Sequence, residues 1–167
     1  AAAIKAAGLT PATKDPFGGH IERTATGVPT GVLVDGAMAI AEKVIPPPTH
    51  DELRAAAIAA AQEMNRWGLT SVEDAGVGKE SIDVFEELAK EGKLSVRNYV
   101  MIAGDSANLA HYFGRGPQSA LYDGHLWIKS IKMVADGALG SRGASLLEPY
   151  SDDPTTSSAS APARASR

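Results

Sequence analysis

Residues 131–144, IKMVADGALGSRGA, gather the side chains with the clearest chemical prospects. Lys132 sits inside an apolar run, Asp136 follows four residues later, and Arg142 lies among Gly137, Gly140 and Gly143. A lysine amine can act as a base, attack a carbonyl carbon or, once carboxylated by carbon dioxide, become an anionic metal ligand. Asp136 could orient ligands as a hydrogen-bond acceptor at the mouth of a strand. Arg142 could clamp a substrate carboxylate through paired N–H donors.

Each residue also has a plainer role. Lys132 can form an ion pair or carry its ammonium out along an apolar stem, and from spacing alone that is the commoner outcome. Asp136 can shape a turn with Gly137, and Arg142 can stabilise its loop. The glycine spacing matches no phosphate-binding fingerprint and reads as a permissive loop. Glu73-Asp74 puts two carboxylates at the end of an earlier strand, where loop hydrogen bonding is the simple account, so neither is given a catalytic role.

Other chemistries are thinly represented. The absence of cysteine excludes disulfides, thiolate zinc sites and cysteine nucleophiles. His20, His50, His111 and His125 form no His-x-His pair, and each falls in a turn, cap, helix or loop, so none is taken as a metal ligand.

The elements that must position Lys132 follow from periodicity. Thr49 with Glu52 makes a capping box, and Leu53, Ala56, Ala57, Ala60, Met64 and Trp67 line one face of a helix ended by Gly68. Strand Leu69 to Glu73, helix Ser81 to Lys90, strand Leu94 to Ile102, a helix capped by Ser106 and running to about Phe113, and strand Leu126 to Ala135 come next. Alternation puts Lys132, Val134 and Asp136 on one strand face, and Lys129, Ile131, Met133 and Ala135 on the other. A parallel sheet covered by helices is buried on both faces, so an ammonium there must be paired, neutralised or chemically altered.

Helix–strand alternation with short links predicts an α/β class with parallel strands and about three βα units over 48–150. Residues 1–47 read as a helix end capped near Gly8, then a hairpin of His20 to Arg23 and Gly31 to Val34. A helix over Ala37 to Val44 follows, stopped by Pro46-Pro47-Pro48. Residues 151–167 are a low-complexity tail, expected to be disordered. Periodicity alone does not separate part of a closed barrel from an open doubly wound sheet.

In this order, GGHIERTATGVPTGVLVDGAM, VIPPPTHDELRAA, WGLTSVEDAG and IKMVADGALGSRGASLLEPYSDDP resemble the YtcJ-like branch of the amidohydrolase superfamily, amidohydrolase family 3. The resemblance runs over about residues 1–154 and is most specific in IKMVADGALGSRGA. It implies a partial (β/α)8 TIM barrel of the metal-dependent hydrolase type. It also implies one or two divalent metals, usually zinc, and metal-activated water attacking amide-type C–N bonds of a small-molecule substrate. By position in IKMVADG, Lys132 matches the strand lysine that becomes a metal-ligating carbamate, with Asp136 and Arg142 as substrate-binding candidates. Glu73 departs from the His-Asp pair that the resembling proteins often carry.

The chain opens without methionine and ends on TTSSASAPARASR, so it reads as an internal fragment with a non-native tail, inactive by itself. A net charge of −4 and 5% aromatic residues give no footprint for nucleic acid. No apolar run approaches the ~18 residues that span a bilayer, and a cytoplasmic location is expected. Oligomeric state is left open. Two alternatives remain: an α/β enzyme using Lys132 as amine base or nucleophile, and a non-catalytic binding or assembly module exploiting exposed sheet edges.

Overall fold

The computed structural model describes residues 2–141 and 144–152. Within them the chain divides into two compact units: the part through Pro47 together with that from Ala135, and Pro48–Val134.

In the first unit, α1 (Ala2–Ala6) ends where Gly8, at φ +64°, lets the Leu9 N–H return to the Ile4 carbonyl. Strands β1 (Gly19–Arg23) and β2 (Pro29–Asp35) pair antiparallel as the expected hairpin, and α2 (Met38–Glu42) is shorter than its apolar pattern suggested. Ile21, Leu9 and Ala37 form a small core with Ile4, Ala7, Leu33 and Ile40 around it. Asp15 braces the hairpin by accepting from His20 Nδ1 at 2.6 Å, Arg23 at 2.7 Å and the Ile21 N–H at 3.3 Å.

The second unit is an α/β sheet layer. It contains α3 (His50–Arg66), β3 (Ser71–Val77), α4 (Lys79–Lys90), β4 (Arg97–Ala103), α5 (Ser106–Phe113), β5 (Gln118–Ala120) and β6 (Leu126–Lys132). The sheet order is β3-β4-β6-β5; β3, β4 and β6 are parallel, and short β5 runs antiparallel on β6. The sheet is therefore mixed and mostly parallel, and β5 is an element that periodicity did not reveal.

The capping box forms as its spacing requires: Thr49 Oγ1 accepts from the Glu52 N–H, while Glu52 accepts from the Thr49 N–H at 2.7 Å. At α5 the cap is Asp105 rather than Ser106, with Oδ1 accepting from Ala107 and Asn108 N–H groups, each at 3.0 Å. Asn108 in turn accepts from the Lys79 N–H at 3.0 Å, satisfying a donor at the start of α4, where Gly78 offers no side chain.

Strand limits shift from the sequence expectation. β3 continues past Glu73 to Val77, so Glu73 and Asp74 are mid-strand. β4 begins at Arg97 because Leu94 packs into the cluster of Val84 and Leu88 between α3 and α4. β6 ends at Lys132, which leaves Val134 and Asp136 outside the strand.

One face of the sheet is covered. Val77, Val100, Ile102, Leu126 and Ile128 pack with Ile82 of α4 and Tyr112 of α5 into the main core. Along β4 the residues alternate, with Asn98, Val100 and Ile102 buried and Tyr99 and Met101 half-buried. Burial on both faces is thus corrected, because the described helices of this unit pack against the Val100 side and leave Tyr99, Met101 and Trp127 only half-covered.

Candidate functional site

Lys132 stands at the carboxyl end of β6, the end at which parallel α/β sheets present their ligand sites. Its direction is set by a bulge. Val100 pairs with Ile128, but Met101 pairs with Ser130, so β6 carries one more residue than β4. Beyond the bulge Ile131 pairs with Ile102 and Lys132 with Ala103. Neighbours in register share a face, so Ile131 joins the helix-covered side and Lys132 the open side with Met101. The Lys129 ammonium lies 5.6 Å from the Tyr99 ring centroid, within cation–π range. Grouping Lys129 with Ile131 on one face is therefore corrected: simple alternation fails across the bulge.

Strand β3 is bulged at the matching height. Ala75 pairs with Met101 and Val77 with Ile102, leaving Gly76 as the extra residue at φ +87°. A Cβ built on Gly76 would come 3.7 Å from Lys132 Cγ. The lysine stem therefore reaches past the end of β4 to β3. The two residues belong to strands two places apart in the sheet, although neighbouring strands lie about 4.8 Å apart.

The rest of the open face is aromatic and polar. Glu73 stands in register with Tyr99, and Tyr99 with Trp127. With Ser71, Val72 and Arg97 they line a shallow recess of about 380 Å³. Arg97 donates to Ser71 Oγ at 2.8 Å and Thr70 Oγ1 at 2.9 Å, tying the entry ends of β3 and β4. Asp74, in register with Val100, faces instead a mostly apolar cavity of about 360 Å³ beside α3 and α4. The pair thus splits across the sheet.

Lys132 is exposed, not the buried ammonium that a two-sided covering required. Asp136 lies in a bend of the other unit and accepts from the Ser145 N–H at 3.1 Å, a bond to backbone nine residues further along the chain. Arg142 lies outside the described residues. Among the described residues no group of three His, Asp or Glu side chains could hold a metal ion. One lysine does not make a metal shell of three or four protein ligands, so these residues by themselves do not fit a bound metal.

The four histidines serve other ends. His20 bonds Asp15, and His50 Nε2 lies 3.0 Å from Glu87, linking α3 to α4. His111 is on α5, edge-on to Tyr112, and His125 precedes β6. The largest electrostatic perturbation is also remote: burial, then the charges of Asp83 and Glu86, pushes the Tyr112 phenol up to about 12. That keeps it neutral in the core.

The chain as a whole matches known proteins. A model of the amidohydrolase family, Amidohydro_3, matches residues 1–165. The chain belongs to this amidohydrolase family. YtcJ of Bacillus subtilis (strain 168) is 35% identical over 161 residues, covering 93% of this chain and 29% of YtcJ. LONG AFTER FAR-RED 3 of Arabidopsis thaliana is 30% identical over 164 residues, covering 91% of this chain and 28% of that protein.

Two crystal structures share the fold. An uncharacterized metal-dependent hydrolase from Pyrococcus horikoshii OT3 superposes with a TM-score of 0.66 at 27% identity, over 92% of this chain and 29% of that one. One from Pyrococcus furiosus gives 0.64 at 24% identity, over 94% and 31%. The chain thus spans under a third of the length of these relatives.

Sequence reasoning missed Gly76 and Gly104 as neighbours of Lys132. An isolated glycine within a strand pattern, as in EDAGV, was the available signal for the first.

Proposed function

We propose that this chain is a portion of a metal-dependent hydrolase that cleaves C–N bonds of small amide-type molecules. In this reading Lys132 is its contribution to the reaction centre and the sheet is an arc of a (β/α)8 barrel. The observation that supports the reading most is the placement of Lys132: a bulge turns it from the helix-covered side to the open face, at the carboxyl end of β6.

On that face the neutral amine can add carbon dioxide. The nitrogen lone pair forms the new N–C bond, one C–O π pair moves to oxygen, and the amine proton leaves to solvent. The product is a carbamate anion where the chain had a cation. When bound, a divalent cation, zinc in this proposal, would supply Lewis acidity and a lowered water pKa. Its remaining ligands would come from parts of the protein beyond the described residues, as would much of the substrate selectivity. Asp136 and Arg142 stay as proposed substrate contacts, with Asp136 also accepting from the Ser145 N–H.

The test is carbon-13 NMR of the full-length protein, which carries the remaining ligands of this proposal, and of its Lys132→Met variant in labelled bicarbonate with zinc. A carbamate resonance in the parent that is lost in the variant is expected. Its absence from the parent removes this chemistry. Trapping of Lys132 by borohydride with a carbonyl compound would favour the amine-nucleophile alternative.

A further inference from the structure

Resting on the reading of Lys132 above, we propose that Gly76 and Gly104 are positioning residues that together fix the direction of the Lys132 side chain across the carboxyl end of the sheet. The two glycines stand near the ends of β3 and β4, and both face Lys132. At Gly76 a Cβ would lie 3.7 Å from Lys132 Cγ, and any longer side chain would compete for the space the lysine stem crosses. Gly76 also holds φ at +87°, which side chains other than glycine rarely adopt, and it is the extra residue of the β3 bulge.

Gly104 has a different reason to be glycine. Its φ is outside the left-handed region, so backbone conformation does not demand it. Space does. A Cβ there would sit 3.1 Å from the Lys132 carbonyl oxygen, 3.2 Å from Met133 Cγ and 3.7 Å from Ile131 Cγ2. The β6 backbone at Lys132 therefore passes tightly over Gly104, while its side chain passes over Gly76. One glycine sets where the lysine starts and the other leaves open the path it takes. A methyl group at Gly104 pushes on the Lys132 peptide by a few tenths of an ångström without straining its own dihedrals, which separates positioning from folding.

The experiment uses the whole chain, isotope-labelled, as parent, Gly104→Ala and Gly76→Ala. In the parent, a nuclear Overhauser contact between Lys132 Hγ and Gly76 Hα is expected; its absence overturns the proposal whether or not either variant folds. In Gly104→Ala that contact changes in intensity while amide shifts in α3, α4 and the β1–β2 hairpin stay unchanged. A contact of the parent's intensity there overturns the proposal. Carbon-13 bicarbonate incorporation at Lys132 is read with zinc in the full-length protein and in the same two substitutions made there. Lower incorporation in both variants than in the parent supports positioning for chemistry. If the contact behaves as expected but no sample incorporates label, the positioning stands and the carbamate reading falls.

Discussion

Lys132 is paired with Ala103, one place back from the partner an unbroken register would give it. Continued from Val100–Ile128 without the bulge, the ladder would set Lys132 opposite Gly104 and on the side packed by α4 and α5. The bulge instead delivers an exposed amine to the open face. Because that amine is exposed, Lys132→Met should change folding stability by less than about 0.5 kcal/mol, as surface substitutions generally do. Urea unfolding of both proteins checks this, and a larger loss would reveal a structural partner for the ammonium.

The α3 cap should be separable from the chemistry. Thr49→Ala removes the acceptor for the Glu52 N–H and should cost about 1 kcal/mol, the usual scale for losing such a cap, while Thr49→Ser should restore most of it. The readout is the urea midpoint of Pro48–Val134, followed by tryptophan fluorescence from Trp67 and Trp127.

Acid should loosen the hairpin unit at Asp15. The hydrogen bond from Arg23, helped by those from His20 and the Ile21 N–H, holds the Asp15 carboxyl below its ordinary value. A depressed folded value means the stabilisation is complete above the ordinary carboxylate range and disappears as pH falls through the lowered value. The Asp15 side-chain carbon titration should therefore fall below the ordinary aspartate value. In Asp15→Asn, the acid-dependent part of the hairpin's stability should shrink.

The core of the sheet unit should be its weakest point to truncation. Ile82 is fully buried among Val77, Val100, Ile102 and Leu126. Ile82→Ala should cost about 2–5 kcal/mol, the range for large-to-small changes in packed cores. Ala56→Ser, on the more exposed side of α3, should be near neutral by comparison. Native-state hydrogen exchange of the Val100 and Ile128 amides reads the difference.

Local signals carried much of this architecture. The Thr49–Glu52 box, the glycine stops at Gly8 and Gly68, and the β1–β2 hairpin all depend on residues close in sequence, and each formed as its chemistry dictates. The two bulges did not announce themselves in the same way. Lys129 is an ordinary residue, and its status as the extra one exists only in relation to β4, some thirty positions earlier. Alternation counted along β6 alone therefore predicts the wrong companions for Lys132. The three residues of β5 are too few to show a period, and Asp136 read as the strand mouth because MVA extends an apolar run that the ladder does not follow.

The Met101–Ser130 step has a genetic consequence. What faces the open side at the tip of β6 depends on parity: an odd number of residues inserted or lost between Ile128 and Ser130 exchanges Ile131 and Lys132, even though every remaining amino acid is the right one. A one-codon deletion at Lys129 should be more harmful to function than most substitutions there. Relatives compared across this strand need to be aligned by counting gaps before identities are weighed.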